Sequence, residues 1–147
     1  LLNTGHSFRQ QYGKFEAKVR MDKSAAAHSF WMVGEKASPQ INVFHYMKGK
    51  MNMGFKSGEL KKGAVRTVGT KVPGSKYNSD FMIYTLEWTP DKITWKVNGL
   101  EAFSYKGQLP QEPMYMVFSS GLLDNKINES DLPGQLEIDW VKCYSKN

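Results

Sequence analysis

A regular alternation of apolar and polar residues is the feature that most restricts the fold of this chain. It is clearest in two stretches, GKFEAKVRM (residues 13–21) and KITWKVNG (residues 92–99). Because successive side chains of a β-strand point to opposite faces, this period predicts strands with one buried face. The second stretch ends in Asn98 and Gly99, a dipeptide typical of tight hairpin turns.

Three further strand candidates, FMIYTLEW, EPMYMVFSS and QLEIDWVKCY, are rich in apolar and aromatic residues. No stretch keeps a helical period over three turns, and turn residues recur between the candidates. The sequence therefore predicts one all-β domain over residues 1–147. We expect Trp88, Trp95 and Trp140 in its core.

The length and composition set further bounds. A chain of 147 residues with 40% hydrophobic residues can bury a sizeable core. No apolar run is long enough to span a bilayer, so membrane insertion is not expected. Cys143 is the only cysteine, which excludes an internal disulfide. We assign the chain no cofactor and no metal site.

Positive charge is concentrated in one part of the chain. Residues 1–80 hold 14 Lys and Arg against 5 Asp and Glu, whereas residues 81–147 hold 6 against 9. Such a surface attracts polyanions, or it merely keeps loops solvated, and both alternatives stay open. No helix, ribbon or aromatic-plus-basic signature supports a nucleic-acid partner. One group of basic residues follows position 47: Lys48, Lys50, Lys56, Lys61, Lys62 and Arg66.

One short stretch, SPQINVFHY (residues 38–46), places polar residues in an unusual pattern within a candidate strand. Gln40 and Asn42 are two residues apart and share a face of the strand. His45 reaches the same face only if the strand contains one extra residue, a β-bulge, near Val43 and Phe44. With such a bulge, the strand presents two amides and an imidazole on one surface.

The order of the strands resembles glycoside hydrolase family 16, which includes laminarinases, lichenases and agarases. The resemblance is carried by four segments, YGKFEAKVRM, HSFWMVG, YTLEWTPDKITWKVNG and EIDWVKCY, over nearly the whole chain. It implies a concanavalin A-like jelly-roll sandwich of two antiparallel sheets. It also places SPQINVFHY at the strand where the family has its catalytic Glu-Ile-Asp-Ile-Phe-Glu motif.

By this resemblance Gln40 takes the position of the nucleophile, Asn42 that of the assisting aspartate and His45 that of the acid/base. A retaining glycosidase needs two carboxyl groups, which are replaced here. The resemblance therefore implies a carbohydrate-binding, catalytically impaired domain that recognises a β-linked polysaccharide in a cleft. The alternative is a glycosyl hydrolase, active or residually active, with a non-standard or substrate-assisted mechanism in which His45 donates the proton and Asn42 orients the substrate.

Other residues are candidates for contacts with the sugar. Trp31 is the expected stacking platform, and Asn52 and one of the serines at 119 and 120, with Ser119 preferred, are hydrogen-bonding candidates. His28 is expected either at the cleft rim or as a histidine that is solvent-exposed or satisfied in the core. The carboxylates of Glu137-Ile138-Asp139 match the family's last strand, away from the cleft.

Family members are longer than this chain and carry additional strands before its first segment. The alternatives are a reduced jelly-roll, strands supplied by a second chain, or a piece of a longer protein. The expected partner is a polysaccharide or oligosaccharide, and the lysines beside the motif add sulfated polymers to the candidates. The resemblance also implies an extracellular or cell-envelope location.

Overall fold

The described part of the chain contains eleven β-strands, paired antiparallel. The computed structural model describes residues 1–22, 26–59, 64–73, 80–122 and 134–145. The strands are β1 (Leu2–Asn3), β2 (Gly13–Met21), β3 (Ala27–Val33), β4 (Gln40–Met47), β5 (Lys50–Glu59), β6 (Ala64–Pro73), β7 (Met82–Trp88), β8 (Lys92–Val97), β9 (Leu100–Lys106), β10 (Tyr115–Gly121) and β11 (Leu136–Tyr144).

The strands form two sheets that pack face to face. The first has six strands in the order β1-β10-β3-β4-β5-β6, and the second has five in the order β11-β2-β7-β8-β9. No helix occurs in the described ranges, and hence none that could span a membrane. The predicted all-β sandwich of two antiparallel sheets is therefore confirmed.

The core lies between the sheets and follows from the alternation in the sequence. In β2 the side chains of Phe15, Ala17, Val19 and Met21 are buried, while those between them are more exposed. Trp88 and Trp95 of the second sheet are fully buried, as predicted. The Asn98–Gly99 turn joins β8 to β9 with positive φ at both residues, 49° and 81°, as a type I′ hairpin requires.

Trp140 differs from the prediction because of an irregularity in β11. Strict alternation would place it on the inward face with Leu136 and Ile138, but the register against β2 shifts between Ile138 and Trp140. One extra residue reverses the face of everything beyond it. Trp140 is therefore half-buried on the outer face, opposite Lys18, with the Lys142 ammonium 4.4 Å from its ring centroid.

Candidate functional site

The predicted β-bulge is present in β4. On one side Phe30 and Trp31 of β3 pair with Phe44 and Asn42, so β3 advances one residue while β4 advances two. On the other side, the step from Asn42 to His45 is matched by only two residues of β5. The extra residue turns Val43 and Phe44 towards the core, where both are buried.

As a result, Gln40, Asn42 and His45 all lie on the outward face of the six-stranded sheet, and all three line one cavity. Strand pairing continues this face across β10, β3, β4, β5 and β6 in three parallel rows. The first row consists of Ser119, Ser29, His45, Asn52 and Lys71. The second consists of Val117, Trp31, Asn42, Gly54 and Gly69. The third consists of Tyr115, Val33, Gln40, Lys56 and Thr67.

Two adjoining cavities of about 460 Å³ and 310 Å³ lie along these rows, and we call them together the groove. Both are lined by Asn42, His45 and Lys56. The smaller extends towards Trp31 and Ser119, and the larger extends over β5 and β6 to Lys71. The described residues that line the groove include two lysines and no aspartate or glutamate.

A glycine pair shapes the larger cavity. Gly54 and Gly69 face each other across β5 and β6 in the row that contains Asn42. A Cβ atom on Gly54 would lie 2.2 Å from the backbone oxygen of Val68, and one on Gly69 would lie 2.6 Å from that of Met53. The two strands approach this closely only because both positions lack side chains. In the second, middle row, no side chain therefore projects from the sheet between Asn42 and the end of the row at Gly69 of β6.

The His45 imidazole is held by a neighbour in its own row. The Ser29 hydroxyl oxygen lies 2.6 Å from His45 Nδ1, within hydrogen-bonding distance. Burial lowers the pKa of His45 below its usual value of 6.5, and the Lys56 ammonium lowers it further. His45 is therefore neutral at physiological pH and offers a polar ring nitrogen rather than a positive charge.

The two amides of the motif are anchored differently. The Gln40 side chain donates a hydrogen bond to the Ala37 carbonyl at 2.9 Å, which holds it against the preceding turn. Asn42 is fixed through its backbone, because its carbonyl accepts a hydrogen bond from the Trp95 indole N–H at 2.8 Å. The Asn42 side chain lines both cavities.

Most of the candidates named from the sequence meet in the groove. Trp31 and Ser119 line its smaller cavity, and Asn52 lines the larger one beside His45. Within the basic group, Lys56 lines the groove, whereas Arg66 hydrogen-bonds to Tyr105 of the opposite sheet. Lys61 and Lys62 lie outside the described residues.

His28 does not line the groove. It is three residues before Trp31 and thus on the opposite, core-facing side of β3, where its side chain is fully buried. Because the Asp22 carboxylate can only accept, His28 Nε2–H donates to it at 3.2 Å, and Nδ1 accepts from the Ser120 hydroxyl at 2.8 Å. The expected position of His28 at the cleft rim is therefore wrong. His28 is instead a histidine satisfied in the core, which was one of the alternatives.

The carboxylates of β11 are equally remote from the groove. Glu137 and Asp139 belong to the five-stranded sheet, where they pair with Arg20 at 2.6 Å and with Lys18 at 3.4 Å. They form part of a solvated, ion-paired surface, as expected for the last strand. They therefore do not supply the missing groove carboxylates.

Sequence reasoning missed several groove residues, of which Ser29 is the most important. Its signal was its position two residues before Trp31, which puts both on one face of β3. Lys71 and Thr67 carried no local signal, since only the pairing of β6 with β5 brings them to the groove.

A two-sheet antiparallel sandwich of this kind, here with a polar groove across one sheet, belongs to the jelly-roll class. The family model of glycosyl hydrolases family 16 matches residues 2–142, and the chain therefore belongs to this family.

Two relatives illustrate the similarity. The chain is 29% identical to a beta-glucanase of Fibrobacter succinogenes over 91% of the chain and 43% of the relative. It is 24% identical to a keratan-sulfate endo-1,4-beta-galactosidase of Sphingobacterium multivorum over 93% of the chain and 37% of the relative. The chain thus spans less than half the length of either protein.

Solved structures share the fold at low identity. A family 16 protein of the Bacteroides ovatus mixed linkage glucan PUL, in complex with a product, superposes with a TM-score of 0.80 at 18% identity, covering 97% of this chain and 73% of that one. A laminarinase from Flavobacterium sp. UMI-01 gives a TM-score of 0.80 at 17% identity, with coverage of 97% and 71%.

Proposed function

We propose that the groove binds a β-linked polysaccharide and does not cleave it by the double displacement of retaining glycosidases. One observation supports the proposal above the others. The three side chains that β4 presents to the groove are Gln40, Asn42 and His45, and the described residues lining the groove include no carboxylate.

The chemistry of hydrolysis explains why this matters. A retaining glycosidase uses one carboxylate to attack the anomeric carbon and a second carboxyl group about 5–5.5 Å away to move the proton. The Gln40 amide is a poor nucleophile and cannot form the usual glycosyl ester. His45 could donate a proton, but its lowered pKa leaves little imidazolium at neutral pH. Losing members of such a unit removes most of the rate, because they act together.

The same residues suit binding. Amides, hydroxyls and a neutral imidazole offer both donors and acceptors, which match sugar hydroxyl groups. Trp31 supplies a flat apolar face beside Asn42 in the middle row. Relatives in the family that act on polysaccharides add support. Because such polymers lie outside the cytoplasm, we place the protein outside the cell or in its envelope as part of this proposal.

The charge of the groove favours an anionic polymer within this class. Lys56 and Lys71 line the larger cavity without a carboxylate to neutralise them among the described lining residues. A sulfate ester or uronic carboxylate on a sugar unit over β5 and β6 would be attracted by the positive charge of these two lysines. The similarity to a keratan-sulfate endo-1,4-beta-galactosidase is consistent with this.

Affinity electrophoresis tests the proposal with the protein as it is. The native chain is run through gels that contain laminarin, lichenan, agarose, carrageenan or porphyran. We expect one or more polymers to retard it, and retardation by sulfated polymers that weakens with salt would identify the anionic class. Migration unchanged in every gel would contradict the binding function.

Substrate-assisted hydrolysis is the competing proposal, with His45 as the proton donor and Asn42 as the group that orients the substrate. An N-acetylated polymer, such as chitosan oligomers with residual acetyl groups, is its probe. New reducing ends from this probe alone would favour it over the binding function.

A further inference from the structure

We propose that Trp95, a core residue of the opposite sheet, is the positioning residue that holds the β4 bulge and so places His45 in the groove. Trp95 lies in β8, its side chain is fully buried, and it contacts no groove cavity among the described residues. Its indole Nε1–H donates a hydrogen bond to the Asn42 carbonyl at 2.8 Å.

Asn42 is where the bulge begins. It is the last residue in regular register with β5 before the shift, and on the β3 side the register breaks between Asn42 and Phe44. A bulge disrupts the ladder locally, so its backbone groups need other partners when they are buried. Trp95 supplies such a partner from across the core.

The position of the bulge decides which side chains face the groove. With the bulge in place, Asn42 and His45 face outward while Val43 and Phe44 are buried. Strict alternation beyond Asn42 would instead turn Phe44 into the groove and His45 into the core. A bond that fixes the Asn42 carbonyl on the core side therefore favours the arrangement with both polar side chains in the groove.

The chain contains a matched control in Trp88. It is also fully buried, belongs to the same sheet, and donates its indole N–H to one backbone carbonyl, that of Pro110, at 3.2 Å. Pro110 is not among the residues that line the groove. Trp95→Phe and Trp88→Phe each keep a buried aromatic ring and delete one such hydrogen bond.

The first readout is the His45 imidazole itself, followed by NMR titration, which the presence of only three histidines makes tractable. We expect Trp95→Phe to change the titration midpoint and chemical shifts of His45, and Trp88→Phe to leave both as in the wild type. A wild-type His45 titration in Trp95→Phe, or equal changes in both variants, would overturn the positioning role.

The second readout is binding to the polymer that retards the wild type, and it rests on the proposed function. Deleting one partner of a buried hydrogen bond changes the equilibrium constant that depends on it by about tenfold. We expect Trp95→Phe to weaken binding about tenfold more than Trp88→Phe, and we expect urea unfolding to show both variants destabilised. If no polymer binds the wild type, the proposed function fails, while the His45 titration still decides the role of Trp95.

A measurement on the wild type covers the case in which Trp95→Phe does not fold. The four indole N–H signals of the tryptophans can be followed by hydrogen exchange. The Trp95 signal must exchange slowly, as a buried and bonded donor does, in contrast to that of the half-buried Trp31. Exchange of Trp95 as fast as that of Trp31 would show that the bond to Asn42 is absent and would overturn the proposal.

Discussion

Replacing Trp31 by alanine should remove most of the affinity of the groove for its polysaccharide. Trp31 is half-buried, lies in the middle row next to Asn42, and forms one wall of the smaller cavity. A sugar ring that stacks on one face of an indole covers about 100 Å² of apolar surface, roughly half of what a buried tryptophan contributes. At about 25 cal/mol per Å², this amounts to about 2.5 kcal/mol, or a loss of affinity of roughly 70-fold.

The assay is isothermal titration of the wild type and Trp31→Ala with oligosaccharides of the polymer that retards the native chain. Trp31→Phe should retain much of the affinity because it keeps an aromatic face. Trp140→Ala is the matched control, since Trp140 is also half-buried but lies on the outer face of the other sheet. A Trp31→Ala variant that binds within twofold of the wild type, or a Trp140→Ala variant that loses as much, would refute the reasoning.

The remaining predictions concern the charge of the groove. Because the pKa of His45 lies below 6.5 in the folded state, the unfolded chain binds more protons below that pH, and the free energy of unfolding decreases there. Urea unfolding at about pH 7.5 and about pH 5.5 should therefore show a smaller decrease for His45→Gln than for the wild type, and equal decreases would contradict the assignment. Lys56→Gln should raise the His45 pKa seen by NMR, because it removes the second cause of the shift, and should weaken binding to a sulfated polymer about two- to fivefold while sparing a neutral one. Equal effects on both polymers would show that Lys56 does not attract the sulfate groups of the ligand. The triple variant Gln40→Glu, Asn42→Asp and His45→Glu should release new reducing ends from a bound polymer; a variant that binds but stays inert would show that the groove differs in more than its carboxyl groups.

Much of the fold could be predicted because its signals are local. Alternation in β2 and the Asn98–Gly99 turn act within a few residues, and the structure has both. The β4 bulge was predictable for a different reason. His45 shares a face with Gln40 and Asn42 only if the strand contains an extra residue, and the resemblance to the family's catalytic strand gave a reason to expect all three on one face.

The remaining features depend on pairing between strands that are distant in sequence. Ser29 reaches His45, and Lys71 reaches Asn52, only through the register of neighbouring strands. The β11 bulge that exposes Trp140 has no comparable polar pattern to indicate it. The buried position of His28 was not predictable either, because its two hydrogen-bond partners come from the residue after β2 and from β10, the second of which is far away in sequence.

The most direct test of the account is to look for binding and cleavage in the same sample. The wild-type protein is incubated with the oligosaccharides that it binds, and mass spectrometry follows their chain lengths over a long incubation. The account predicts bound oligosaccharides of unchanged length. Shorter products with new reducing ends, which disappear in His45→Ala, would contradict it and show that the groove cleaves its ligand without the carboxylate pair.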